Sequence, residues 1–213
     1  EDSRWSTDLL QDPNDPGRLI LRSDGDVSLS RDGEGFFTDA ASVAKLAEKA
    51  KKKLGGQAVT SIVVDNSIRS GDLFNKTWDR EDIDGGNIAN LDAVMLDAGR
   101  LDPYTSDSAR SHNPGEDVGR ALADALGADA EVTVSKEVTP SLGDQDPIAS
   151  VQSAPINVRL RDMLVHSDNI MAEAIGREIA ESQGKPQNFE GATSATLDVL
   201  KEHGIDTKDA TLF

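Results

Sequence analysis

The stretch Ile156-Asn-Val-Arg-Leu-Arg-Asp-Met-Leu-Val-His-Ser-Asp-Asn-Ile-Met-Ala-Glu-Ala-Ile-Gly-Arg-Glu-Ile-Ala-Glu-Ser-Gln183 decides how the chain is read. Two apolar periodicities flank one polar triplet. Ile156, Leu160, Met163 and Leu164 recur at helical spacing, and so do Ile170, Ala174, Ile175 and Ile179. Between them stand Ser167, Asp168 and Asn169, residue types that end one helix and cap the next. The pattern predicts two helices packed on a core, with a short polar turn held between them. Small polar side chains on such a turn have few rotamers and a fixed backbone, so they can serve a chemical site. The same triplet can also be a simple N-cap, its oxygen accepting from unpaired helix N–H groups. Ser-x-Asn alone is a weak filter, because Ser111-His112-Asn113 fits it too, in a loop with Pro114 and Gly115.

The surroundings of the triplet narrow the choice. Met163, Leu164, Ser167, Asp168, Asn169, Ala172 and Glu173, at their spacing, resemble the second active-site motif of penicillin-binding proteins. The likeness is to the low-molecular-mass class C enzymes, the D-Ala-D-Ala carboxypeptidase/endopeptidase family. Residues 19–30, with Gly25-Asp26, resemble that family's strand and Gly-Asp turn. Ile62 to Asp65, with Trp78 downstream, resemble its Asp … Trp segment, and Pro155 precedes the helix that leads to Ser167. The resemblance runs through residues 19–206 and is densest at 163–173.

That family works with three motifs, Ser-x-x-Lys, Ser-x-Asn and Lys-Thr-Gly. Cleaving an amide needs a nucleophile, a base, and groups that orient the substrate and pass protons. The resemblance assigns Ser167 to the proton relay and Asn169 to binding the substrate's amide, with Asp168 acting in the turn. It further implies a peptidoglycan peptide as substrate, β-lactams as covalent inhibitors of the whole enzyme, no cofactor or metal, and an extracytoplasmic location.

Ser-x-x-Lys occurs twice. Ser182 and Lys185 span a helix end and follow the second motif, in the wrong order. Ser42 and Lys45 open a predicted helix, 39–54, in which Val43, Leu46, Ala47, Ala50 and Leu54 form one stripe. The remaining positions carry Lys45, Glu48, Lys49 and Lys51 to Lys53, which describes a surface helix. A lysine among lysines in water stays protonated and is no base. Gly25-Asp26 also precedes Ser42, whereas in the family that turn follows the nucleophile, so Ser42 is read as a helix-start residue. Of Lys-Thr-Gly only Lys76-Thr77 is found, and Trp78 follows. The expectation is a middle piece, with the nucleophile before Glu1 and the third motif after Phe213, inactive by itself. The alternative is a wall-associated binding or scaffolding module without chemistry. A third reading, within enzymes, makes Ser42 the nucleophile.

Composition bounds the rest. With 213 residues, 37% hydrophobic but only 4% aromatic, a core must be built from aliphatic side chains. A net charge of −17 disfavours nucleic acid and anionic membranes as partners. The chain has no cysteine, which excludes disulfides and thiolate metal sites. Asp79, Glu81, Asp82 and Asp84 before Gly85-Gly86 have the flavour of a calcium loop, but Arg80 and Leu91 break the ligand spacing. His166 adjoins Ser167, yet neighbours on a helix point about 100° apart, and no Gly-x-Ser-x-Gly elbow is present.

In chain order the sequence predicts a polar, frayed segment over 1–16, then short strands at 18–22 and 26–30 joined by a turn at Ser23 to Gly25. A helix over 39–54, capped by Asp39, leads to a strand at 58–64. Ile88, Leu91, Val94 and Met95 predict a helix ended near Gly99, and residues 100–115 a polar loop. A helix at 116–126 follows, then strands at 131–134 and 148–151 around a Gly/Pro loop, and finally a helix at 191–203. The fold class is α/β to α+β. Residues 1–154 are expected to form an accessory α/β insertion, and 155–213 the helical portion of a β-lactamase/transpeptidase-like catalytic domain. The sequence leaves the oligomeric state open.

Overall fold

Leu9, Leu19, Leu21, Ile62 and Val64 bury one face of a five-stranded sheet, and Leu10, Ile20 and Val63 the other. The computed structural model describes residues 2–137 and 145–210. Among these the strands are β1 (Ser6–Asp12), β2 (Asp15–Ser23), β3 (Ser61–Asp65), β4 (Glu131–Ser135) and β5 (Ala149–Gln152). Their order across the sheet is β4-β3-β2-β1-β5. β1 pairs antiparallel with β2 and with β5, while β2, β3 and β4 run parallel. Two helices make the crossovers, α1 (Val43–Leu54) and α3 (Pro114–Leu126), and both lie on one face. There Val43, Leu46, Ala47, Val118, Ala121 and Leu122 meet the strands in one apolar core. Each large aliphatic buried this way contributes roughly 1.5–3 kcal/mol. Gly119 permits the closeness of α3 to the sheet, since a Cβ there would stand 2.4 Å from Val132 Cγ1.

Several local expectations are corrected. Residues 6–12 are not frayed but form β1, second from one edge of the sheet. The hairpin partner of β2 is therefore upstream, through a turn at Asp12 to Asp15 where the Asp12 carboxylate accepts from Asn14 N–H at 2.9 Å. Residues 26–30 run extended without joining the sheet, bridging instead to Leu96 and Ser42. The helix α1 starts later than expected, because Ser42 is its cap: its hydroxyl accepts from Lys45 N–H at 3.2 Å. Residues 88–96 are not helical. Their backbone pairs with distant segments, Leu91 N–H to Leu73 O and Met95 N–H to Asp26 O, before one 3₁₀ turn at Asp97–Gly99. The acidic stretch forms the short helix α2 (Glu81–Asp84). The Gly/Pro loop between β4 and β5 lies largely at 138–144, outside the described residues.

The C-terminal third is helical: α4 (Ile156–His166), α5 (Asn169–Ser182) and α6 (Phe189–Glu202). α5 buries Ile170, Met171, Ala174 and Ile175 in a second cluster with Trp5, Val27, Phe37, Leu91 and Met95. Residues on both sides of position 154 thus share this core. The fold is a mixed α/β arrangement, and the loops 26–37 and 84–111 form the floor on which α4 and α5 meet.

Candidate functional site

α4 ends on Ser167, whose backbone is left-handed at φ 52° and ψ 42°. Its N–H and that of Asp168 both donate to Met163 O. α1 and α3 end in the same conformation, but on Gly55 (φ 57°) and Gly127 (φ 70°). A side chain in this region costs about 1 kcal/mol, which is why glycine is the usual choice. Here a serine is held there. Ser167 is exposed, and its hydroxyl makes no hydrogen bond among the described residues.

The next residue holds the turn. Asp168 is fully buried and caps α5, one carboxylate oxygen accepting from Met171 N–H at 2.8 Å. The other oxygen meets two guanidinium groups, Arg100 at 2.8 Å and Arg110 at 3.0 Å. Burial pushes the Asp168 carboxyl up, but the charges of Arg110 and Arg100, with the Met171 N–H, outweigh it and hold the group below its ordinary value. Arg110 also donates to Gly86 O at 2.8 Å and to Ala98 O at 2.7 Å. Arg100 donates to Asp97 O and Ser106 O and lies 3.4 Å over the Phe36 ring. Burial lowers the Arg100 pKa, as does the charge of Arg110, while Asp168 opposes both. Through the two arginines, one carboxylate therefore ties the α4–α5 turn to both the 26–37 and the 84–111 loops.

Asn169 is exposed beyond the clamp and donates from its carboxamide to Asn87 O at 3.2 Å. It lines a groove of about 420 Å³ with Trp78, Ile88, Glu173 and Phe189. The Trp78 and Phe189 rings meet edge to face at 5.8 Å. Glu173 accepts from Arg177 at 2.9 Å, so its charge is engaged. The two sequence-predicted residues thus stand side by side on the surface, and Asp168 between them points inward, as expected for a residue acting in the turn.

The other candidates are placed elsewhere. The Ser42 hydroxyl is taken up as a cap, and Lys45 is exposed. Ser182 donates to Ile179 O at 2.7 Å, and the Lys185 ammonium reaches Ser194 and Asp198. Neither Ser-x-x-Lys pair joins hydroxyl to amine among the described residues. The Ser111 hydroxyl bonds Asp117. His166 packs on Phe36, with ring centroids 4.6 Å apart. Among the described residues no three His, Cys, Asp or Glu side chains converge as a metal site would require.

α4 itself is inverted. It buries Arg159, which donates to Glu178 at 2.8 Å and lies 3.6 Å over the Trp5 ring, and Asp162, which accepts from Thr38 N–H at 2.8 Å. It exposes Leu164 (73%) and Val165 (69%), next to Ser167. Sequence reasoning missed Arg100, Arg110 and Arg159, because a buried arginine is announced only by partners far along the chain.

Known proteins resemble this one along its whole length. The family model of the D-Ala-D-Ala carboxypeptidase 3 (S13) family matches residues 1–110 and 104–213. Carboxypeptidase DacB of Mycolicibacterium smegmatis is 44% identical over 215 residues, covering 99% of this chain and 46% of the relative. A carboxypeptidase of Mycobacterium tuberculosis is 41% identical, covering 99% of this chain and 45% of the relative. The chain thus spans about half the length of the curated relatives it matches. In fold it is similar to penicillin binding protein 4 of Haemophilus influenzae, with TM-score 0.73 and 17% identity over 100% of this chain and 60% of that one. The same protein complexed with a novel β-lactam matches with TM-score 0.61 and 16% identity, over 59% of its chain.

Proposed function

The chain belongs to the D-Ala-D-Ala carboxypeptidase 3 (S13) family, and from that membership we propose that it is part of a longer serine-type enzyme. That enzyme cleaves the terminal D-Ala-D-Ala peptide bond of peptidoglycan stem peptides. Ser167 and Asn169 supply its second motif. The Ser167 hydroxyl passes a proton toward the leaving amine, and the Asn169 carboxamide holds the substrate's amide. The nucleophile and the third motif come from elsewhere in the longer polypeptide. On this reading residues 1–154 are an accessory region, residues 155–213 belong to the catalytic domain, and the enzyme works outside the cytoplasmic membrane. β-Lactams acylate it as substrate mimics.

The observation that carries this reading is the left-handed Ser167. Its conformation is the one α1 and α3 give to glycine, and its exposed hydroxyl has no partner among the described residues. Local strain kept at a polar, accessible residue is characteristic of functional positions. The apolar surface of Leu164 and Val165 beside it suits cover by further protein.

The test is acylation by a fluorescent penicillin. Ser167→Ala in the full-length protein should slow labelling by roughly 100-fold while the fold is kept. Labelling of that variant at the normal rate refutes the role of Ser167. A full-length protein that never labels, though folded, points instead to a binding or scaffolding module. Labelling of the isolated chain, abolished by Ser42→Ala, would favour Ser42 as the nucleophile.

A further inference from the structure

The hold on Asp168 exceeds what a helix cap requires. α1 is capped by the Ser42 hydroxyl and α6 by the Asn188 carboxamide, both neutral and without a cation. Among the described residues α5 alone has an ionised side-chain cap, gripped by two arginines whose side chains are 1% and 3% exposed. Two buried guanidinium groups on one carboxylate repel each other, and each must leave water. Such a cluster adds little net stability over an apolar one, but it has one good geometry. The Arg110 fork is further fixed on Gly86 O and Ala98 O, and Arg100 is fixed against Phe36. The residues on either side of Asp168 are the two that the proposed function uses.

We propose that Arg100 and Arg110 are positioning residues of this site. Through Asp168 they keep Ser167 in its left-handed conformation and Asn169 at the groove. The inference rests on the assignment of Ser167 and Asn169 given above. Without the double ion pair, the strained serine relaxes toward an ordinary conformation, and its hydroxyl leaves the place where a substrate's leaving group would lie. A misplacement of about 1 Å costs a reaction up to roughly 100-fold.

The variants are Asp168→Asn, which keeps a good neutral cap but removes the charge, and Arg110→Lys and Arg100→Lys, which keep a charge but lose the fork. In the full-length protein, two quantities separate positioning from folding. One is the fraction labelled by fluorescent penicillin at saturation, and the other is the rate constant at which that fraction reacts. Positioning predicts full saturation with a rate at least about 10-fold lower in Asp168→Asn, and a smaller fall in Arg110→Lys. A lowered saturating fraction that reacts at the wild-type rate would mean the clamp merely holds the fold, and would overturn the inference. If Asp168→Asn yields no folded protein, the two lysine variants decide in the same way, and wild-type rates in both overturn it. Ser167→Ala and Asn169→Ala run alongside. If they react normally, the functional reading falls and this inference with it. If they slow while the clamp variants do not, the clamp inference falls alone.

Discussion

The sheet with α1 and α3, and the turn between α4 and α5, are held in opposite ways. The first buries aliphatic side chains on a regular alternation, with Leu46, Ile62, Val64 and Leu122 all fully enclosed. The second encloses charge: Arg100, Arg110 and Asp168 at the turn, Arg159 and Asp162 along α4. Apolar contacts are tolerant of direction and supply most of the folding free energy. Ionic clusters supply little net energy but demand one arrangement. The molecule uses the first kind where it needs only to be stable. It uses the second where a serine must be kept out of its preferred conformation.

The sharpest way to break this contrast is Asp168→Ala. Two arginines would be left buried without their anion, and the unfolding free energy should fall by about 3–5 kcal/mol in chemical denaturation. A loss below about 1 kcal/mol would mean the clamp is dispensable. Because the Asp168 pKa is held below its ordinary value, its contribution is present at neutral pH and is lost as pH falls through the carboxylate range. Leu46→Ala should destabilise comparably, by about 2–5 kcal/mol, through the cavity it leaves. Its effect should stop at stability, so the folded full-length variant should acylate at the wild-type rate. Slowed acylation there would show that the two regions are not separable.

Asp26 offers a change of the opposite sign. It is fully buried, and burial raises its pKa from 3.8 to about 6, against the bonds it accepts from Ser28. One of its oxygens, Oδ2, has no partner among the described residues. A raised carboxyl favours folding while protonated, so this contribution is complete below about pH 4 and lost as pH rises through 6. Asp26→Asn should therefore stabilise the chain by about 2–3 kcal/mol at pH 8 and reduce the fall in melting temperature between pH 4 and 7. Asp97, also raised by burial to about 6, should keep part of that slope in the variant. The smallest effect expected is for Ser167→Gly. Relief of the left-handed serine should raise stability by roughly 0.5–1 kcal/mol, while acylation by the full-length protein falls. A destabilised Ser167→Gly would mean that the serine is not strained.

What the sequence made legible follows the same division. The α1 stripe, the role of Ser42 as a helix start and the helix–turn–helix about Ser167 all rest on local spacing and capping, and all stand in the structure. β1 was hidden because Pro13 and Pro16 follow a segment that looks polar, although Leu9 and Leu10 are buried on its two faces. The helix read from Ile88, Leu91, Val94 and Met95 was a coincidence of spacing. Leu91 and Met95 donate instead to Leu73 O and Asp26 O, so bonds to distant segments stand where helical ones were expected. The arginine clamp carries no periodicity at all. Arg110 and Asp168 lie 58 positions apart, and nothing near either one announces the other.

The antiparallel pairing of β1 with β5 sets an order on synthesis. Leu9 must wait for Ala149 before its outer side is covered. At the pace of a ribosome, that interval is roughly 7–30 s, during which a nascent strand edge is open to any other extended chain. Until residues 149–152 exist, that flank of β1 is an unpaired edge, the kind of backbone on which a second copy of the chain can template itself.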